Sequence, residues 1–400
     1  MIVRPDYLLS INPFIDKPLI KILAGVRRSG KSTILEMVQN ELLSRGIKAE
    51  QLITRRYTDI AWANKTATDM YNDLVSAMGG GFRYYLFLDE LQEIDNWERV
   101  VNSITESFDV DVYVTGSNSK LMSAEISTYL TGRYVTIPVY TLSFAEYLQF
   151  KGNPDDKYKA FADYLRQGGF PVVANGNFED KAAYQIVDGI YSSVVTRDIA
   201  VRHTIRNAEL FDRVVSYIVE NVGKSFSANA IVNFLKSERR ELSVEAVYNY
   251  IKWLKEAFII YPCRRFDLQG KAVLKTQEKY YLSDVSLKYA QMGFDGKMVA
   301  TMLENIVYLE LKRRGYDVYV GKLGDKEVDF VATLRGTRVY VQVCRSLPVD
   351  SNREIDNLAR IRDNFHKYVV TADQLDVGNY DGVEGVHIGG FLATSATYVG

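Results

Sequence analysis

Apolar residues in the first third of the chain form short continuous runs, and each run ends at a glycine or a polar pair. Four such runs occupy residues 20–24, 84–88, 110–115 and 134–139. Runs of this length are typical of strands buried on both faces of a parallel sheet. Residues 33–45 and 66–78 have helical spacing, and residues 51–57 suit a further strand. The alternation predicts an α/β fold with a parallel sheet.

The middle of the chain is dominated by helical periodicity. Two of its helices are separated only by a polar turn and are followed by two short apolar strands, an order typical of a winged helix-turn-helix. The predicted helices are 158–166, 179–222, 227–235 and 243–257, and the predicted strands are 258–265 and 279–282.

From residue 297 onwards helices and strands mix again, which predicts a second α/β domain. The predicted elements are a helix at 299–314, strands at 318–320, 327–334 and 338–343, a helix at 353–364 and a strand at 366–371.

The composition narrows the classes of protein that the chain can represent. A length of 400 residues suits two or three domains. The chain has 49 Lys and Arg against 50 Asp and Glu, so its net charge gives no overall electrostatic attraction to nucleic acid or membrane. The two cysteines and three histidines lack the spacing of a zinc site. No apolar run reaches the ~20 residues of a membrane span, and the first residues lack the layout of a signal peptide. We expect a cytoplasmic protein without a membrane partner.

The segment 20–35, IKILAGVRRSGKSTIL, carries the first candidate chemistry. It fits the pattern G-x-x-x-x-G-K-[ST] with Gly25, Gly30, Lys31 and Ser32. The glycines let successive backbone N–H groups point inward, the following helix adds further donors, and Lys31 adds a mobile cation. A triphosphate such as ATP is the expected ligand, and the Ser32 hydroxyl would contact its Mg²⁺. Arg27 and Arg28 either add charge near the phosphates or are simply solvated.

Two adjacent carboxylates, Asp89 and Glu90, follow the buried run 84–88. Open parallel sheets bind ligands at the carboxyl ends of their strands, so this pair should lie at the same edge as the phosphate loop. We expect Asp89 to hold the magnesium ion and Glu90 to polarise the attacking water. The next strand, 110–115, ends at Gly116-Ser117-Asn118, where a polar side chain could reach the terminal phosphate.

These motifs occur in the order GVRRSGKST, LFLDELQEIDNWE, VYVTGSNS, YLTGRY and IPVYTLSFAEYL. In this order the chain resembles a bacterial and archaeal family of AAA+ ATPases that carries a carboxyl-terminal region of unknown function. The resemblance implies Walker B at 87–90, a sensor-1 position at Ser117 or Asn118, and Walker A at 25–33. The nucleotide contacts implied within Walker A are Gly25, Arg28, Ser29, Gly30, Lys31, Ser32 and Thr33.

Arg133 follows the glycine of YLTGRY, as the arginine of that family does. It is a candidate charge for the transferred phosphoryl group, in its own active site or in that of a neighbouring subunit, or else a structural ion pair. With Glu90, Lys31 and Asn118 it completes the predicted catalytic set. Pro171, after Gly168-Gly169-Phe170, either contacts the adenine, as the resemblance implies, or simply ends a helix.

The predicted winged helix leaves its partner open. Its second helix offers Tyr248, Asn249, Lys252 and Lys255 to a DNA groove, and residues 224–265 carry eight Lys and Arg against four Asp and Glu. This excess is modest, and winged helices also contact proteins or act as scaffold. DNA, a protein partner and a second copy of the chain all remain alternatives.

The order of elements after residue 297 resembles the core of the PD-(D/E)xK nucleases. The matching positions are Glu304, Asp329 and the triplet Gln342-Val343-Cys344. Metal-dependent cleavage usually needs a lysine at the third position of that triplet, and Cys344 supplies no cation. We expect a nuclease-like fold that does not cleave.

The sequence therefore predicts four regions: a P-loop AAA+ domain at 1–152, a helical lid at 153–208, a winged helix at 209–290 and a nuclease-like domain at 291–400. The expected function is ATP hydrolysis with Mg²⁺ that drives a conformational switch. The alternatives are a DNA-binding regulator or defence component whose affinity responds to ATP, and a residual metal-dependent nuclease.

Overall fold

The computed structural model describes residues 3–122, 130, 132–203, 205, 207–348 and 353–393. Part of the YLTGRY motif, including Thr131, lies outside these residues. The chain divides into a first unit, Met1–Val139 with Glu256–Phe258, and a second unit that contains the remainder. In the described part of the chain, no helix combines the length and the apolarity that crossing a bilayer would require.

The first unit is built on a parallel sheet with the strand order β2-β3-β4-β1-β5. Its central strands are fully buried, as their continuous apolar runs predict. The strands are β1 Ile20–Ala24, β2 Leu52–Arg56, β3 Tyr84–Asp89, β4 Val110–Gly116 and β5 Tyr134–Pro138. The helices are α1 Pro5–Ile11, α2 Lys31–Ser44, α3 Ala67–Ala77 and α4 Trp97–Ser107.

Because every pairing in this sheet is parallel, the carboxyl ends of its strands meet at one edge. β1 lies between β4 and β5, in a register that runs from Ile20 opposite Tyr134 to Ala24 opposite Gly116 and Pro138. β4 in turn pairs with β3. The phosphate loop after β1 and the acid pair at the end of β3 therefore share an edge, as the sequence predicts.

The same sheet holds a buried ion pair. The Nζ of Lys21 on β1 contacts the carboxylate of Asp111 on β4, and both side chains are fully buried. Asp111 also accepts hydrogen bonds from the Tyr113 hydroxyl at 2.7 Å and from the Asp16 N–H at 3.0 Å. Burial lowers the pKa of Lys21, and the contact with Asp111 opposes this shift. A charge in this position is tolerated only while it is paired.

We therefore expect the substitution Asp111→Ala to destabilise the first unit by about 3–5 kcal/mol, because it leaves the Lys21 ammonium buried without its counter-ion. A lower urea midpoint, followed by circular dichroism, would show this. The matched control is Asp109→Ala, since Asp109 pairs with Arg83 at 3.2 Å but its side chain is 69% exposed. This variant should change stability by less than about 1 kcal/mol. Equal midpoints for the two variants would contradict the role of the pair.

The second unit begins with helices. The helix Phe144–Phe150 begins with a capping box, since the Ser143 hydroxyl accepts from the Glu146 N–H and the Glu146 carboxylate from the Ser143 N–H. Within the predicted helical stretch, residues Val194–Ala200 form a π-helix. The α-helices are α5 Phe144–Phe150, α6 Lys157–Gln167, α7 Pro171–Ala174, α8 Asp180–Ser193, α9 Val201–His203, α10 Ala208–Glu220, α11 Ala228–Ser237 and α12 Val244–Glu256.

A mixed sheet completes this unit in the order β12-β13-β11-β10-β9-β8-β6-β7. Its strands are β6 Ile260–Asp267, β7 Ala272–Leu282, β8 Asp317–Leu323, β9 Lys326–Leu334, β10 Thr337–Cys344, β11 His366–Thr371, β12 Gly378–Tyr380 and β13 Val383–His387. The associated helices are α13 Ser286–Met292, α14 Val299–Arg313, α15 Arg353–Ala359 and α16 Ile388–Ala393.

The hairpin predicted as the wing, β6–β7, belongs to this sheet, because β6 pairs in parallel with β8. The two helices and two strands expected for 209–290 are present as α11, α12, β6 and β7. Their assignment as a winged helix, like the boundary at 290, stays a prediction. Sequence analysis did not foresee that the hairpin and the following domain share one sheet.

Candidate functional site

The phosphate loop connects β1 to α2 and depends on two glycines. A Cβ at Gly25 would lie 1.9 Å from the Val139 carbonyl oxygen, so no larger residue fits there. Gly30 has φ 98°, a left-handed conformation that favours glycine. Among the described residues no side chain caps the start of α2 at Gly30, which leaves the first-turn N–H groups as donors for an anion.

Lys31 is the first residue of α2, and its side chain folds back over the loop. Its Nζ donates to the carbonyl oxygens of Gly25 at 3.0 Å and Val26 at 3.2 Å. The same ammonium lies 3.6 Å from the Glu90 carboxylate and is almost completely buried. A buried cation beside a loop with available backbone N–H donors is suited to hold phosphate oxygens.

Ser32 and Asp89, the two predicted magnesium ligands, are in direct contact. The Ser32 hydroxyl donates to the Asp89 carboxylate at 2.8 Å, and the Thr115 hydroxyl donates to the same carboxylate at 2.5 Å. Asp89 is only 4% exposed. Carboxylate and hydroxyl oxygens are the hard donors that Mg²⁺ prefers, so this donor set fits the expected ion.

Glu90, the predicted base, is held by its neighbours. The Gln92 amide donates to its carboxylate at 2.5 Å and lies 3.3 Å from the Ser117 hydroxyl. Burial by itself raises the pKa of Glu90, but Lys31 and the hydrogen bond from Gln92 outweigh it and bring the pKa below the usual value. Glu90 is therefore ionised at neutral pH and can accept a proton.

The remaining Walker A residues lie in the loop and the first turn of α2. Arg28 is exposed with φ 66°, whereas Ser29 is fully buried. The Ser29 carbonyl accepts a hydrogen bond at 2.8 Å from Arg4, a buried arginine that sequence analysis missed. Thr33 is half-buried in α2. Asn118 is buried and lies two residues after the end of β4. In the sheet, β4 lies between β1, which leads into the loop, and β3, which ends at the acid pair.

Arg133 does not lie with this group. It precedes β5 at the amino end of the sheet, the edge opposite the phosphate loop, and pairs with Glu106 at 3.2 Å. Its predicted role in its own active site is therefore wrong, because the length of β5 separates it from the phosphates. A role toward a neighbouring subunit stays a prediction.

Another cation lies at the edge of the sheet that carries the phosphate loop. Arg56 ends β2, and its Nε is 3.4 Å from the Asp89 carboxylate, with about half of the side chain exposed. Sequence analysis missed Arg56, Gln92 and Thr115. Arg56 and Thr115 could have been found, because they lie at the carboxyl ends of strands, the same signal that identified Asp89. Arg56 can thus supply charge beside Asp89 without a second subunit.

The positions that match the nuclease pattern also come together, in the second unit. The Asp329 N–H donates to Gln342 Oε1 at 3.3 Å, and its carboxylate accepts from the Val343 N–H at 2.8 Å. Burial raises the pKa of Asp329 well above the usual value, and nearby Glu304 adds to this effect. Burial also raises the pKa of Cys344 to about 11, so this thiol is uncharged at neutral pH.

A lysine from a different strand enters this cluster. Lys279 of β7 lies 3.2 Å from the Glu304 carboxylate and 2.7 Å from that of Glu327. Position 344 lacks the lysine of the nuclease pattern, but Lys279 brings a cation to the same cluster, where it neutralises carboxylates. The absence of cleavage by this cluster stays a prediction.

Comparisons with known proteins agree with this geometry. The model of the family described as "AAA domain" matches residues 17–148. An uncharacterized protein of Haemophilus influenzae is 36% identical over 395 residues, which cover 97% of this chain and 98% of that protein. The chain belongs to the AAA-type P-loop ATPase family.

Further comparisons extend the family assignment. The uncharacterized protein MJ1544 of Methanocaldococcus jannaschii is 30% identical over 353 residues, which cover 84% of this chain and 76% of that protein. The Walker-type ATPase PABY2304 of Pyrococcus abyssi has a TM-score of 0.53 at 15% identity and covers 72% of this chain and 95% of that one. This likeness shows the fold of the AAA-type ATPase. Residues 158–297 match a domain of unknown function, DUF8612.

Proposed function

We propose that the protein binds ATP with Mg²⁺ and hydrolyses it to drive a conformational switch. The observation that carries this proposal is the contact between Ser32 and Asp89, with Lys31 and Glu90 paired 3.6 Å apart at the same edge of the sheet. The loop, the cation, the metal ligands and the base come from separate parts of the sequence and meet at one edge of the sheet.

Each residue has a distinct task in this proposal. The loop N–H groups and Lys31 bind the β- and γ-phosphates. Ser32 and Asp89 hold Mg²⁺, which supplies charge neutralisation on the phosphate oxygens when it is bound. Glu90 orients the attacking water and accepts its proton, and Gln92 keeps the Glu90 carboxylate in position. Asn118, two residues after the end of β4, contacts the terminal phosphate or the water in this proposal.

ATP must displace Lys31 from its present partners. In the structure this ammonium is bonded to loop carbonyls and lies 3.6 Å from Glu90. When the ammonium transfers to phosphate, Glu90 loses its contact with Lys31 and keeps the hydrogen bond from Gln92. Its carboxylate is then available to water. This exchange links nucleotide binding to a change in the hydrogen bonds of the site.

Metal removal tests the proposal directly. Phosphate release from ATP is measured with the full chain in Mg²⁺ and again after addition of EDTA. We expect release that falls to the background rate in EDTA and returns when Mg²⁺ is restored, because the phosphate charge is no longer neutralised in EDTA. Release that is equal in EDTA, or an absence of ATP binding by calorimetry, would refute the proposal.

A further inference from the structure

A groove in the second unit is lined by none of the residues assigned to the ATP site. One of its walls is the face of α12 that carries Tyr248, Lys252 and Lys255, spaced four and three residues apart and hence on one side of the helix. The facing wall includes Tyr280 of β7, and Phe226 lies before α11. The groove encloses about 730 Å³.

The lining combines aromatic rings with lysines. Tyr248 is 61% exposed, which leaves its ring face available to a ligand. The rings of Phe226 and Tyr280, both in the lining, lie 5.4 Å apart and pack against each other. The acidic lining residue, Glu278, accepts a hydrogen bond from the Tyr280 hydroxyl at 3.0 Å. Among the described lining residues, two lysines and one carboxylate leave a positive balance.

This groove differs from the exposed DNA-binding helix that the sequence predicts. Reading a duplex requires a helix that protrudes into a major groove about 12 Å wide. Here the face of α12 that bears the lysines is instead one side of a concave groove, with β7 opposite it. A single strand has unpaired bases that can stack on an exposed ring such as Tyr248, and the sequence-predicted Asn249 is not among the described lining residues.

We propose that this groove binds single-stranded nucleic acid, with its phosphates on Lys252 and Lys255 and a base stacked on Tyr248. Stacking on an aromatic ring combined with backbone contacts to lysine is how proteins bind single strands without reading sequence. Lysine ammonium groups are point charges without a fixed fork, so they follow a phosphate backbone better than they recognise the planar carboxylates of an acidic peptide. The activity is separate from ATP hydrolysis.

The test uses the full chain and a fluorescein-labelled oligothymidylate of twelve nucleotides, with binding measured by fluorescence anisotropy. We expect Tyr248→Ala to weaken binding by about 5- to 20-fold through loss of stacking. The double substitution Lys252→Glu and Lys255→Glu should weaken binding further and reduce the slope of log affinity against log salt by about 0.7 for each phosphate that is no longer neutralised. Lys236→Glu is the matched control, because Lys236 is exposed on α11 outside the groove lining.

The remaining outcomes are equally decisive. Tyr248→Phe should bind like the original chain, since it retains the ring. Circular dichroism melting curves that match the original chain will show that the variants are folded. An effect of Lys236→Glu equal to that of the double variant, tighter binding of a duplex of the same sequence, or full competition by polyglutamate would each overturn the proposal. Loss of ATP hydrolysis in Lys31→Ala should leave binding of the oligonucleotide unchanged.

Discussion

Substitution of Glu90 by glutamine will slow ATP hydrolysis by about 10²- to 10⁴-fold, the usual contribution of a general base. Glutamine keeps the size and hydrogen-bonding reach of Glu90 but cannot accept a proton. Because the pKa of Glu90 lies below its usual value, the native side chain is ionised at neutral pH, and the substitution removes a working base. Single-turnover hydrolysis of ATP measures the effect.

Binding of ATP should survive this substitution. The ion pair between Lys31 and Glu90, 3.6 Å apart, no longer forms, which frees the ammonium for phosphate. We therefore expect Glu90→Gln to hold ATP at least as tightly as the original chain and to retain it unhydrolysed. Glu93→Gln, an exposed glutamate three positions further on, is the control and should hydrolyse normally. A Glu90→Gln chain with the full hydrolysis rate would show that another group acts as base.

Substitution of Lys31 by alanine should weaken ATP binding by at least about 100-fold, since the ammonium is proposed to contact both the β- and the γ-phosphate and each hydrogen bond to a charged group contributes about 1.5–3 kcal/mol. Isothermal titration calorimetry should detect no binding. The loop itself should persist, because its shape depends on Gly25 and Gly30 rather than on the lysine.

Two measurements distinguish reduced affinity from disrupted structure. The Lys31→Ala chain without nucleotide should melt within a few degrees of the original chain. Lys31→Met, which keeps most of the aliphatic length without the charge, should lose ATP binding equally. An unchanged ATP affinity in either variant would refute the assignment of the loop.

Local patterns predicted the fold of the first unit well. The glycines and Lys31 of the phosphate loop are contiguous, and the apolar run before Asp89 marks a buried strand whose carboxyl end must meet the same edge. The shared edge of loop and acid pair then follows from the parallel rule. The P-loop fold is confirmed on this basis, and Ser32 and Asp89 lie in contact as two ligands of one ion would.

Predictions failed where side chains meet across long stretches of sequence. Its position after a glycine made Arg133 a candidate for its own active site, for a neighbouring one or for an ion pair; that glycine precedes β5, so the residue lies at the opposite edge and pairs with Glu106. Lys279 was missed for the converse reason, since only the pairing of β6 with β8 brings its hairpin to Glu304 and Asp329. Neither relation leaves a local pattern.

The pairing of β6 with β8 also determines where this chain can be divided. A chain cut at residue 290 would lose β8 and expose the row of backbone donors and acceptors along β6. Lys279 would lose Glu304 and Glu327, the two carboxylates that neutralise it, in the same cut. We expect such fragments to self-associate through the open strand. The hairpin and the carboxyl-terminal domain therefore have to be expressed as one chain.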